Sequence, residues 1–416
     1  MRTTTRRRRL TTITAGLISL SLVAAACGGD DDTIDDAAPP ADTPDDAGDD
    51  DTGDADTGDA DAGDDDAAAG ECETVDSVSL QLQWFVQAQF GGYYAAIDNG
   101  TYADYCLDVT ILEGGVDIVP QQQLADGAAD FAIAWVPKAL QSREAGADIV
   151  NIAQVFQRSG TLQVSFVETD ITSPEDFEGR RIGNWGFGNE YEVFAAITEA
   201  GLDPNDVEHV QQQFDMLALL AGDIDAAEAM TYNEYAQVLE AVNPETGELY
   251  QPEDFNVISY EEVGVGMLQD AIWADAAKLE SDDAYRDIAV RFVAASLEGW
   301  AYCRDNPESC ADIVTDAGSQ LGQSHQLWMM NEVNKLIWPA DEGVGVIDQA
   351  AWDRTAEIAQ NTANLEGTTV LASAPSDDAY TNDIVNEALA SLANRGIDTT
   401  GSDFSPIEVE LLEGGE

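Results

Sequence analysis

Apolar and polar positions alternate over residues 78–84 (Val-Ser-Leu-Gln-Leu-Gln-Trp) and again over 107–112 (Leu-Asp-Val-Thr-Ile-Leu), while 92–100 between them carries helical spacing. That is a strand–helix–strand unit. The rhythm continues with a helix over 120–126, a strand over 130–134, a helix over 138–145 and a strand over 149–154. Such a succession predicts a right-handed α/β sheet. A second run opens with a strand at 181–185. It proceeds through a helix over 190–200 closed by Gly201, a strand at 207–211, a helix at 216–222 and strands at 226–230 and 256–260. From 282 onward the pattern is mostly helical, over 282–300, 324–338 and 349–361, and these helices are expected to cover the first sheet.

Two runs of similar size predict an α/β protein of two doubly wound lobes, a hinge between them and a ligand cleft where the carboxyl ends of the strands meet. The expected boundaries are 71–167 for the first part of lobe I, 168–265 for lobe II, and 266–416 for the return to lobe I with its C-terminal helices. The chain is expected to cross near 167–174 and to come back near 264–272.

The N-terminus has a different grammar. Arg2, Arg6, Arg7, Arg8 and Arg9 precede a weakly polar to apolar run over 10–26, too short for a good membrane span, so residues 1–26 read as an export signal. The run ends in Val-Ala-Ala-Ala-Cys-Gly. Small residues before a cysteine resemble a bacterial lipobox, with Ala24 where Leu is usual, and imply that Cys27 is lipidated. Residues 30–70 consist almost wholly of Asp, Ala, Gly, Thr and Pro; they have nothing to bury and repel themselves, so 27–70 is expected to be an acidic, disordered tether.

The formal charge is −64, from 81 acidic and 17 basic side chains. With the 18 Asp of the tether and the five leader Arg set aside, 63 acids still face 12 bases. A surface of that sign argues against nucleic acid as a partner, because phosphate backbones need basic footprints. Beyond Cys27 there are four cysteines, Cys72, Cys106, Cys303 and Cys310, an even number suited to an oxidising compartment. Three pairings are open. Cys72 with Cys106 is favoured because each precedes a predicted strand and adjacent parallel strands bring such starts together; Cys303 with Cys310 would clamp one loop.

The segment Trp84-Phe85-Val86-Gln87-Ala88-Gln89-Phe90-Gly91-Gly92-Tyr93-Tyr94 carries a resemblance. It is joined by Gly114-Gly115, Asp130-Phe131-Ala132-Ile133-Ala134, Gln157-Arg158-Ser159-Gly160, Phe214-Asp215-Met216 and Met230-Thr231-Tyr232-Asn233-Glu234. Together, over about 76–340, they resemble the substrate-binding proteins related to the thiamine-pyrimidine-precursor and riboflavin importers, of SsuA/THI5-like or NMT1/THI5 type. The same superfamily holds taurine, sulfonate and nitrate binders and the fungal thiamine pyrimidine synthases. The resemblance implies a periplasmic-binding-protein type II fold. It also implies a lipid-anchored solute-binding component of an ABC importer on the outer face of the cytoplasmic membrane, monomeric, partnered by a permease and its ATPase.

Cleft chemistry is expected from the loops after the strands. Trp84, Phe85, Phe90, Trp135, Trp185, Phe187, Tyr191, Phe214 and Tyr232 offer flat faces suited to a heteroaromatic ring. Gln87, Gln89, Asn189, Glu190, Asp215, Asn233 and Glu234 could read ring nitrogens and amino groups, and their carboxylates favour a neutral or cationic ligand. Gly186 and Gly188 bracket a turn at a helix start that could hold an oxygen through backbone N–H groups. Arg158, with Ser159 beside it, is the one base placed near the cleft, an intralobe salt bridge being its other expected role; Lys138 is expected on solvated surface. The ligand expected is a small nitrogen heterocycle of the thiamine-pyrimidine-precursor type, with flavin-like rings next and taurine or nitrate behind them.

An enzyme is the contrasting class. The fungal synthases consume pyridoxal phosphate and one of their own histidines, use iron and carry a cysteine-rich run; here the corresponding strand end reads Ala229-Met230-Thr231-Tyr232. The two histidines, His209 and His325, fall outside the first-lobe segment where a synthase pattern needs one. No Gly-x-Ser-x-Gly elbow and no Cys/His cluster is present. No cofactor, metal or catalytic residue is therefore expected.

Overall fold

The protein is described by a computed structural model over residues 72–416. The leader, Cys27 and the acidic tether lie outside the described residues. Ten strands form two five-stranded sheets: β1 (Asp76–Gln81), β2 (Leu107–Leu112), β3 (Phe131–Trp135), β4 (Ile149–Gln154), β5 (Thr161–Phe166), β6 (Arg181–Asn184), β7 (Glu208–Gln211), β8 (Ala226–Met230), β9 (Phe255–Ser259) and β10 (Asp270–Asp275). The sheet orders are β2-β1-β3-β10-β4 and β7-β6-β8-β5-β9.

The two orders are the same pattern written twice. In each sheet the first three strands to pair are parallel, and one strand borrowed from the other half of the chain runs antiparallel: β10 beside β3 and β4, β5 beside β8 and β9. Central strands sandwiched between helices are buried on both faces, which explains why Phe131-Ala132-Ile133-Ala134 and Ala226-Ala227-Glu228-Ala229-Met230 are buried throughout.

Because β5 belongs to the second sheet, the chain crosses between Gln154 and Thr161, ahead of the 167–174 crossing expected from the sequence. The segment 161–166 alternates as Thr-Leu-Gln-Val-Ser-Phe, yet its polar side chains are buried too. Hydrogen bonds make that tolerable: Gln163 Nε2 donates to the Gly183 carbonyl, Tyr260 Oη to Gln163 Oε1, and Ser165 Oγ to the Ile171 carbonyl.

The return adds the helices Asp283–Asp305, Pro307–Asp316, Gln323–Ile337, Gln349–Asn361 and Asp383–Asn394. The first lies against Gly91–Asp98. Gly92 and Gly299 meet there, and a Cβ on either would collide with Trp300 or with the facing backbone, so the helices approach closely only because both positions are glycine.

Among the described residues two disulfides are present, Cys72–Cys106 with Cα atoms 5.7 Å apart and Cys303–Cys310 at 5.5 Å. The second joins two consecutive helices across their corner rather than clamping a loop. Among the described residues no helix is long and apolar enough to cross a membrane.

Candidate functional site

The carboxyl ends of β1, β3, β6 and β8 all open onto one cavity of about 560 Å³ between the sheets. From lobe I it is lined by Gln83, Trp84, Gln87 and Gln89 after β1, by the 115–121 segment after β2, and by Trp135 and Lys138 at the end of β3. From lobe II come Trp185, Phe187 and Asn189 after β6, Phe214 after β7, and Met230, Tyr232, Asn233 and Glu234 after β8. The loop after β1 is held close to the sheet by Gly114. Its N–H donates to the Trp84 carbonyl, and a side chain there would strike the 82–84 backbone.

Aromatic rings bridge the two lobes. Trp84 and Phe214 face each other at 4.8 Å between centroids, and Phe214 stacks in turn on Trp185 at 5.9 Å and 18°. Trp185 is buried, and its Nε1 has no hydrogen-bond partner in the protein. A buried indole N–H at a cavity wall is a donor waiting for an acceptor.

Polar groups on the two sides behave differently. On lobe I, Asp270, the first residue of β10, accepts from Gln83 Nε2 (2.6 Å), Trp135 Nε1 (2.8 Å) and Gln89 Nε2 (2.9 Å). Burial pushes its carboxyl up to about 7, against the pull of those three donors. On lobe II, Glu234 accepts from the Met230 N–H and from Asn233 Nδ2, and burial raises it to about 7 as well. Glu228, wholly buried in β8, accepts the Trp185 N–H, and burial holds it well above the usual carboxylate range.

Several expected site residues lie elsewhere. Arg158 donates to the carbonyls of Lys335, Leu336 and Pro339 at the end of the helix Gln323–Ile337, where a cation complements the helix dipole; among the described residues it makes no salt bridge, and it is not on the cavity. Ser159 belongs to the crossover, its N–H donating to Glu261 and its hydroxyl to Thr161. Tyr191 is buried among Leu124, Met267 and Trp352, and Phe90 lies in the lobe I core. Asp215 accepts the Leu217 N–H, tying down its own turn.

Gly186, Phe187 and Gly188 all have positive φ (+69°, +55° and +85°), which explains the two glycines and leaves Phe187 strained and 78% exposed. Within that turn the Gly188 N–H donates to Glu190 and the Asn189 N–H to Gly186. Glu190 thus fills the nest that the sequence offered to a ligand oxygen.

Lys138 is the opposite case. Far from solvated surface, it is half-buried on the cavity wall with its ammonium 5.3 Å from the Trp135 ring centroid, and burial lowers it to about 8 while Glu228, Glu190 and Asp270 pull the other way. Sequence reasoning also missed Gln83 and Asp270. The alternation over 78–84 places Gln83 at the strand's end and was the available signal; nothing local marked Asp270.

The NMT1/THI5 like family matches residues 87–310. A formylaminopyrimidine-binding protein from Halalkalibacterium halodurans is 26% identical over 249 residues, 59% of this chain and 72% of the relative. The riboflavin-binding protein RibY from Chloroflexus aurantiacus is 26% identical over 326 residues, 75% of this chain and 87% of the relative. Among solved structures, the periplasmic sulfonate-binding protein SsuA from Methylobacillus flagellatus superposes with a TM-score of 0.55 at 15% identity, covering 82% of this chain and 100% of that one, which establishes the shared fold. Each of these three is a binding protein for a small solute.

Proposed function

The chain belongs to the NMT1/THI5-like family, and from that premise we propose that it is the solute-binding component of an ABC importer, capturing a small amino-substituted nitrogen heterocycle in the interlobe cavity. One observation carries the ligand class. Rings from both lobes line the cavity, the polar side chains among them are chiefly amides, and Lys138 is its single lining cation. Flat apolar faces with amide edges match a neutral or cationic heteroaromatic ring. A sulfonate or nitrate would need several donors converging on its oxygens, and the glycine turn that might supply them is occupied by Glu190.

Binding would draw the lobes together, since Trp84 and Trp135 on one side and Phe214 and Tyr232 on the other touch the same ligand, each contact adding to the closed state. The closed form would dock on a permease and its ATPase. Anchoring through a lipidated Cys27 would hold it at the outer face of the membrane, and Cys27→Ala should release it into the soluble fraction.

Flavin-like tricycles are the second reading, favoured by a cavity of about 560 Å³ that is roomy for one six-membered ring. Calorimetry with an aminopyrimidine, riboflavin, taurine and nitrate separates the readings. Tight binding of the aminopyrimidine supports the proposal; tight binding of taurine or nitrate, with the pyrimidine silent, overturns it.

A further inference from the structure

We propose that Asp270 is the positioning residue of the lobe I face, orienting the Gln83, Gln89 and Gln87 amides so that this face selects a ligand edge pairing a donor with a neighbouring acceptor. The inference rests on the heterocycle reading above and names the group that sets its specificity. Asp270 is 2% exposed and opposes Trp135 in the antiparallel β3–β10 register, which brings its carboxylate under the cavity wall.

In its ionised form, the form the three donors favour, the carboxylate offers only lone pairs, so each group facing it must turn a hydrogen toward it. That requirement fixes Gln83 with Nε2 inward at 2.6 Å and Gln89 with Nε2 inward at 2.9 Å, and it uses the Trp135 indole N–H at 2.8 Å. Gln89 is then left with its carbonyl oxygen outward. That oxygen accepts from Gln87 Nε2 at 2.6 Å, so the orientation passes one residue further.

Among the described residues, Gln83 and Gln87 make no other side-chain hydrogen bond, so each keeps a carbonyl oxygen and one N–H uncommitted. Trp135, with its N–H used, offers the cavity only its ring. The lobe I face therefore presents amide edges of known sense. An amino group beside a ring nitrogen complements such an edge, and a free amide that could turn over would not distinguish it from the reverse arrangement.

Asp270→Asn keeps the shape but gives one acceptor oxygen where there were two, so three donors cannot all be satisfied and at least one amide must turn. In the ¹⁵N-labelled unliganded protein, the Trp135 indole and the Gln83 and Gln89 side-chain amide resonances should shift in this variant. Calorimetry with a 4-aminopyrimidine and the same ring lacking the amino group should show wild-type selectivity of at least tenfold falling to within threefold, while the ring lacking the amino group loses less than threefold. Gln89→Met, which cuts the link to Gln87 and leaves Asp270 bonded to Gln83 and Trp135, should lower the selectivity by a smaller factor and covers the case in which Asp270→Asn does not fold.

Equal weakening of both ligands, or unchanged selectivity, would overturn the proposal, since a purely structural carboxylate predicts no change in ratio. Resonances that stay put in Asp270→Asn would overturn it whatever binds. Should neither pyrimidine bind the wild type while the resonances shift, the positioning role stands and the heterocycle reading falls.

Discussion

On the lobe I face of the cleft, three side chains that line the cavity converge on one buried carboxylate. On the lobe II face each carboxylate is turned into its own backbone, Glu234 onto Met230, Glu228 onto Trp185 and Glu190 onto Gly188. Both plans satisfy buried charge, but with different consequences. Under the proposal above, lobe I would order the polar edges that meet a ligand, whereas lobe II spends its carboxylates on its own loops and offers four rings, Trp185, Phe187, Phe214 and Tyr232, beside Asn189, Met230, Asn233 and Glu234. The proposal thus divides recognition and coverage between the lobes.

The largest expected effect concerns what both plans share. Asp270 in lobe I, Glu234 in lobe II and Glu192, buried in the helix Tyr191–Glu199 where it accepts the Met267 N–H, are all raised to about 7, burial being the leading cause in each. A carboxyl with a folded-state pKa above its unfolded value binds protons more tightly when folded. Its stabilising contribution is complete below about pH 4 and is lost as pH rises through 7. The melting temperature in 1 M salt, which screens the acidic surface, should therefore be higher at pH 5 than at pH 8, the folded state losing on the order of several kcal/mol of stability across that range. A melting temperature that is flat or rises with pH would break the picture of buried, desolvated carboxyls in both lobes.

Next in size is the aromatic bridge. Trp84→Ala removes the lobe I ring that meets Phe214 across the cleft and should weaken ligand binding by about 2–3 kcal/mol, roughly 30- to 150-fold in Kd by calorimetry. Its effect on stability should be smaller, because the ring is only partly buried.

Phe187→Gly tests the coverage role of lobe II. Relief of the left-handed strain, about 1–2 kcal/mol, is offset by the added freedom of glycine in the unfolded chain, about 0.5–1 kcal/mol. The melting temperature should barely move while affinity drops roughly three- to tenfold from lost cover. The smallest change is expected for Glu190→Gln: with the carboxylate committed to Gly188, affinity should shift by less than about threefold. A tenfold loss would show that Glu190 reads the ligand after all, erasing the division between the lobes.

Much of this was legible along the chain. Strands β4 and β8 carry runs whose ends are plain, and the aromatic and amide residues after β1, β3, β6 and β8 sit where an α/β sheet puts its loops. Cys72 and Cys106 precede neighbouring parallel strands, so their proximity followed from pairing alone. Three residues expected at the cleft have other partners in the structure. Glu190 and Asp215 each accept a backbone N–H two residues away within their own turns, whereas Arg158 donates to carbonyls of the distant 335–339 segment.

The amino-acid sequence by itself determined two α/β halves, a cleft between them and the chemical types gathered at its rim, because these follow from local periodicity and from where polar residues interrupt it. Only the tertiary structure decided which of those groups line the cavity and which are bonded elsewhere. Asp270 stands beside Trp135, 135 positions earlier, because the return strand enters antiparallel between β3 and β4 and so begins where the parallel strands end. Strand direction and order are settled by long-range packing, and no local pattern near residue 270 records them.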